Sequence, residues 1–194
     1  MRTLFCLIIL ALLVSGCIKK DLQRDSEYFN FDSLINAQVE ALVKAKSTLT
    51  KSVLLNGKTD QSMIAMDSAL LAQELDVFRQ LDLINKPLYK NAYEILDGEK
   101  DSQSNLTIRR YKAKEIAPVP FVTFYYQNNF NKIKKIESVF REANSLYATE
   151  RQMVLEFDDT SGNLLLSKYR LQGGQKMILS DSVLFDIEGI ISLH

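Results

Sequence analysis

From Leu88 onward, apolar and polar residues alternate with a period of two, and the alternating stretches are separated by short turn-forming segments. Successive side chains of a strand point to opposite faces, so this period marks half-buried strands. The pattern predicts strands at about 89–97, 105–114, 119–127, 132–144, 147–157, 164–172 and 175–188. Between them stand Asp97-Gly98, Pro118 with Pro120, Asn128-Asn129, Asn144-Ser145, Asp159-Thr160-Ser161-Gly162 and Gly173-Gly174, all residue types that favour turns. Connections this short cannot hold a crossover, so consecutive strands must run antiparallel. Tyr147, Met153, Leu155 and Phe157 share one face, and Met177, Leu179, Val183, Phe185 and Ile187 share another. In strand 119–127, Val122, Phe124 and Tyr126 fall on one face, and Phe121, Thr123 and Tyr125 on the other. Both faces carry aromatic rings, which implies that both are at least partly covered.

The residues before Leu88 follow a different period. Ile35, Val39 and Leu42 recur at helical spacing, widened by Phe31, Leu34 and Val43, and predict a helix over about 31–45 capped by Asn30 or Asp32. Thr48 to Leu55 and Lys58 to Ile64 flank Asn56-Gly57, whose residues suit the two positive-φ positions of a type I′ hairpin turn. A second helix is expected over about 66–84, with Asp67 as cap and the stripe Leu71, Leu75, Phe78. Asn85-Lys86-Pro87 should end it, because a residue before proline avoids the helical region. The expected fold class is α+β: two helices packed on a strongly curved antiparallel sheet, a half-barrel-like meander of seven to nine strands. Residues 29–194 form that single domain.

The first residues are not part of it. Arg2 supplies a positive start, Leu4 through Val14 is an apolar run broken only by Cys6, and Ser15 and Gly16 are small. This is the anatomy of an export signal, and the run is shorter than the ~20 residues that cross a bilayer. Val14-Ser15-Gly16-Cys17 resembles the lipobox of bacterial lipoproteins. The resemblance implies cleavage between Gly16 and Cys17, removal of residues 1–16, and acylation of Cys17, for instance with palmitate. Val14 stands where that motif more often has Leu. Ile18 to Tyr28 is mostly polar and charged and reads as a tether, so 17–28 form the lipidated cysteine and a flexible linker. One acyl chain anchors marginally, whereas two or three hold a protein on a membrane durably.

Composition narrows the chemistry. The chain has 24 basic and 24 acidic residues, so no broad positive field invites nucleic acid. Only Cys17 remains after cleavage, which leaves no cysteine pair for a disulfide within the domain. The single histidine, His194, is the last residue and a poor candidate for a catalytic base. Ser-His and Cys-His catalysis and multi-ligand His or Cys zinc sites are therefore not expected, nor is any metal or cofactor. Asp97-Gly98-Glu99-Lys100-Asp101 lacks the central glycine of a calcium loop and has Ile108 where the last acid would stand, so it reads as a turn. Basic residues do gather locally: Arg109, Arg110, Lys112 and Lys114 on one strand, and Lys132, Lys134 and Lys135 on another. They can protect sheet edges, or they can form one patch facing anionic headgroups.

Further segments resemble one family. They are Glu74 to Phe78, Asp82 to Pro87 with Tyr93 after it, the opening around Asn56-Gly57-Lys58, and Gly174-Gln175-Lys176. Together these are similar to uncharacterised lipoproteins of Bacteroidetes-type bacteria, and imply a lipid-anchored envelope protein with no assigned activity. The expected sheet also resembles the open half-barrel of lipoprotein-carrier proteins. The expectation is a non-catalytic protein attached to the membrane by its N-terminal lipid, binding a lipid or other apolar ligand between sheet and helices. The alternative is an accessory subunit partnering an envelope complex, and the remotest is a hydrolase using two carboxylates. Ile18 after the cysteine, instead of the aspartate that retains many lipoproteins at the inner membrane, favours the outer membrane. The Lys19-Lys20-Asp21 run leaves the periplasmic and surface sides both open.

Overall fold

The computed structural model describes residues 28–160, 163–178 and 180–193. Gly16 and Cys17, most of the tether and His194 lie outside the described residues. Helix α1 spans Phe31–Lys44 and is capped by Asn30, whose side-chain oxygen accepts from Ser33 N at 2.7 Å. Its buried stripe is Phe31, Ile35, Val39 and Leu42, one residue per turn, as helical spacing demands. Strands β1 (Thr48–Leu55) and β2 (Lys58–Ala65) form the expected hairpin. Asn56 and Gly57 adopt φ of 46° and 82°, the left-handed pair a type I′ turn requires.

The second helix departs from expectation. Helix α2 covers only Ser68–Leu75, with Asp67 accepting from Leu70 N at 2.8 Å, and the chain then tightens into a 3₁₀ run over Asp76–Asn85. The reason is a period of three. Leu75, Phe78, Leu81 and Ile84 are each at most 1 % exposed. A 3₁₀ helix, with three residues per turn, stacks such residues on one line, whereas an α-helix would fan them out. Asp82 and Asn85 project from this run and hold the incoming chain. Asp82 accepts from Phe31 N at 3.0 Å, while Asn85 accepts from Tyr28 N at 3.1 Å and donates to Phe29 O at 2.9 Å.

The remaining chain is a meander of β3 (Tyr93–Lys100), β4 (Thr107–Ala113), β5 (Phe121–Tyr126), β6 (Ile133–Ala143), β7 (Tyr147–Thr160), β8 (Asn163–Met177) and β9 (Ser180–Ser192). With β1 and β2 they make one open nine-stranded antiparallel sheet in the order β2-β1-β9-β8-β7-β6-β5-β4-β3. Strand β3 starts later than expected, because Pro87–Tyr89 forms a short 3₁₀ turn and Asn91 takes a φ of 59°. Two expected turns lie inside strands instead. Gly98, at φ 92°, sits at a bulge where the β3–β4 register shifts between Asp97 and Glu99. Gly173 and Gly174 lie within β8, paired with Arg151 and Glu150, and the chain reverses only after Met177. A Cβ on Gly173 would overlap the Glu150 carbonyl oxygen, and one on Gly174 would lie 3.0 Å from Leu184 Cδ2. The glycines serve close strand approach, not a reversal.

One face of the sheet carries α1, α2 and the 3₁₀ run. Tyr111, Val122, Phe124, Ile136, Leu155 and Tyr169 bury there against the helical stripe. Gln38 stitches α1 to β8, donating to Leu164 O at 3.0 Å and accepting from Leu166 N at 2.7 Å. Tyr169 lies across Gly189, where any side chain would collide with its ring, and donates its hydroxyl to Glu74, which also pairs with Lys51 at 2.7 Å. Around Phe124 the space between sheet and helices is filled. Its ring centroid lies 4.9 Å from that of Phe29, 5.1 Å from Tyr111 and 5.3 Å from Phe130, and the residue is fully buried.

Candidate functional site

The other face of β5 opens on solvent. The alternation that sends Val122, Phe124 and Tyr126 into the core turns Phe121, Thr123 and Tyr125 outward, and these three line a trough of about 1590 Å³. Its wall continues through the β4–β5 loop from Lys114 to Pro120, across β6 at Glu137 and Arg141, to Gly174 on β8 and Leu184 on β9. Two prolines stiffen that loop, and Ala113 N donates to Pro120 O at 2.9 Å, which closes its base. Ala143 and Ala148, paired where β6 turns into β7, keep the wall shallow, and Gly174 of β8 contributes no side chain to it.

Polar groups stand at fixed positions on this surface. Arg110 Nε donates to Thr123 Oγ1 at 3.2 Å, and Thr123 is itself buried. Tyr125 donates its hydroxyl to Glu137 at 2.7 Å, and Lys135 pairs with Glu137 at 2.8 Å while its ammonium lies 4.1 Å above the Tyr125 ring. Burial, then the Glu137 carboxylate, pushes the Tyr125 hydroxyl well above its ordinary pKa, so it stays a donor. Farther along, Arg141 Nε and Glu150 pair at 2.8 Å. The acids Glu137 and Glu150 are thus engaged by cations, and among the described residues no group of three or more His, Cys, Asp or Glu is placed to hold a metal. The apolar stretch runs along Phe121, Ile116, Pro118 and Leu184, so the trough combines a greasy track with flanking cations.

The seven basic residues expected as one patch are divided by the sheet. Arg110, Lys112 and Lys114 are on the trough side. Arg109, one residue along the same strand, points to the helix face, where it pairs with Asp97 and stacks 3.7 Å from the Phe130 ring centroid. Lys135 is on the trough side and committed to Glu137. Lys134 is the extra residue at a bulge between Ile133 and Lys135, and Lys132 lies in the β5–β6 turn at the opposite end of the sheet. Alternation explains the split: four cations clustered in sequence on a strand cannot share one face. Sequence reasoning missed the β4–β5 loop, whose only signal was apolar residues such as Ile116 at turn positions, and Leu184, which lies within β9. Asp97, considered for a calcium loop, is occupied by Arg109 and accepts from Tyr126 at 2.8 Å.

No family model, curated protein or solved structure matches the chain.

Proposed function

We propose that this chain is a non-catalytic lipoprotein of the bacterial cell envelope that holds an amphiphilic ligand, an acyl chain or similar apolar group with a polar head, in the trough on the outer face of its sheet. The trough carries this reading: an open track of apolar side chains, flanked by Arg110, Lys112 and Lys114, fits a molecule with a greasy body and an anionic end. The export-signal anatomy of residues 1–16 and the lipobox around Cys17 support attachment through an N-terminal lipid. Ile18 favours the outer membrane. Among the described residues no helix is long and apolar enough to cross a membrane. The space between sheet and helices, where a ligand was expected from sequence, is packed around Phe124, which moves the reading to the opposite face.

Two measurements test it. Metabolic labelling with palmitate should mark the wild type and not Cys17→Ser; label retained by the variant refutes the anchor. A fluorescent fatty acid should bind the purified protein and lose affinity in Phe121→Ala. A folded wild type that binds none refutes the ligand reading and leaves the envelope-accessory alternative.

A further inference from the structure

The four turns at one end of the sheet differ in chemistry from those at the other. At the first end stand the Asn56-Gly57 turn, the 114–120 loop, the 144–146 turn and the β8–β9 reversal at Ile178, because antiparallel strands return their turns alternately to each end. Ile116 is fully exposed there, and Leu146, Ile178 and Leu184 are 68, 66 and 64 % exposed. Two hydrogen bonds tie neighbouring segments together at this end: Ile178 N donates to Leu146 O at 3.1 Å, and Leu184 N donates to the Asn56 side chain at 2.8 Å. At the opposite end, the 101–106 and 127–132 turns consist mostly of Asp, Ser, Gln, Asn and Lys and expose no large apolar side chain among the described residues. Phe130, the one ring in them, is packed against Phe124 and under Arg109.

The chain enters the domain near the apolar end. Tyr28 is the first described residue, and its ring centroid lies 5.3 Å from that of Tyr93. Its hydroxyl accepts from Tyr93 N at 3.2 Å, and Tyr93 begins β3 at that end of the sheet, donating its own hydroxyl to Val119 O in the 114–120 loop at 2.8 Å. The tether from Ile18 to Tyr28 spans at most ~35 Å at about 3.3 Å per residue, so a lipid on Cys17 keeps this end within reach of the membrane.

We infer that the domain docks on the lipid bilayer by this end, with Ile116, Leu146, Ile178 and Leu184 entering the interfacial region and the trough opening directly onto the lipid. The inference rests on the lipid anchor proposed above. Apolar insertion carries the docking more than charge does: Lys112, Lys114 and Lys176 meet headgroups at this level, but Glu115 and Glu142 stand beside them. The trough wall includes the 114–120 loop and Leu184, so the same rim that meets the bilayer borders the ligand track. A ligand drawn from the membrane therefore passes into the trough without crossing water.

The test uses the full-length lipidated protein in phosphatidylcholine vesicles containing brominated acyl chains. Single variants Ile116→Cys, Leu146→Cys and Ile178→Cys at the rim, and Gln103→Cys and Asn131→Cys at the opposite end, each carry a nitrobenzoxadiazole label. Acylation of Cys17 and vesicle flotation are checked in parallel. With Cys17 acylated and the protein floating, the three rim labels should shift to the blue and be quenched at least twofold more than the other two. Equal quenching at both ends overturns the docking and leaves the anchor standing. Failure of acylation and flotation together overturns the anchor and this inference with it.

Discussion

Phe121 and Phe124 stand three residues apart on one short strand and face opposite ways, so truncating each should give opposite results. Phe124 is fully buried, with the rings of Phe29, Tyr111 and Phe130 at 4.9, 5.1 and 5.3 Å and Phe31 at 6.2 Å. Phe→Ala in a packed core costs about 3–5 kcal/mol, and the loss of several ring pairs, each worth roughly 0.5–1.5 kcal/mol, places Phe124→Ala at the upper end. A domain of ordinary stability, about 5–15 kcal/mol, survives that with a greatly lowered unfolding midpoint. Phe121 is only partly buried and lines the open trough, so Phe121→Ala should cost about 1 kcal/mol. Urea unfolding of the Cys17→Ser protein, followed by circular dichroism, measures both. Binding of a fluorescent fatty acid should fall in Phe121→Ala and be retained by whatever fraction of Phe124→Ala is folded. If the two variants lose the same stability to within about 0.5 kcal/mol, the assignment of faces on β5 is wrong.

Two other expectations follow from the same geometry. Gly173→Ala should push β7 and β8 apart at Glu150 and cost more than 2 kcal/mol, about the upper range of ordinary point mutants, whereas Gly57→Ala, with open space but a φ of 82°, should cost about 1 kcal/mol; paired thermal melts decide the order. In acid, Asp97 and Asp186 are held below their ordinary pKa of 3.8, chiefly by hydrogen bonds from Arg109 and Arg170. The unfolded chain takes up those protons first, so the stabilisation is present above 3.8 and is lost as pH falls through the lowered values. Asp97→Asn with Asp186→Asn should flatten the pH dependence of the urea midpoint below the ordinary carboxylate value of 3.8, and an unchanged slope refutes the attribution.

How legible the fold was depended on which physical signal acted alone. Helix α1 and the first hairpin rest on local chemistry, a cap at Asn30 and two left-handed positions at Asn56-Gly57, and both formed as expected. The meander was legible because a period of two, repeated with short turns, has one antiparallel solution. Gly173-Gly174 was misjudged because glycine answers two demands, positive φ and close backbone approach, and only the neighbouring strand reveals which applies. The 3₁₀ run was written in the three-residue spacing of Leu75, Phe78, Leu81 and Ile84, but the same residues also fit a broad helical stripe. The trough was half legible: alternation sorted Phe121 from Phe124, whereas which face the helices would cover depends on the register of distant strands.

The placement of β1 between β2 and β9 governs the order in which the fold can complete. Thr48 pairs with Ser192 and Leu55 with Phe185, so an early strand waits for the last one. Until residues 180–192 arrive, the β1–β2 hairpin is a two-stranded ribbon with no sheet to join, and such ribbons are marginal in water. Closing this contact spans nearly the whole domain, which makes it a late step and a slow one. A chain crossing a membrane with its N-terminus leading would emerge with its first hairpin waiting for its final strand, carrying an unpaired edge in the meantime. Truncation before β9 would then do more than shorten the sheet: it would release the hairpin at the other end of the sequence and expose β8 as a new edge open to association with other chains.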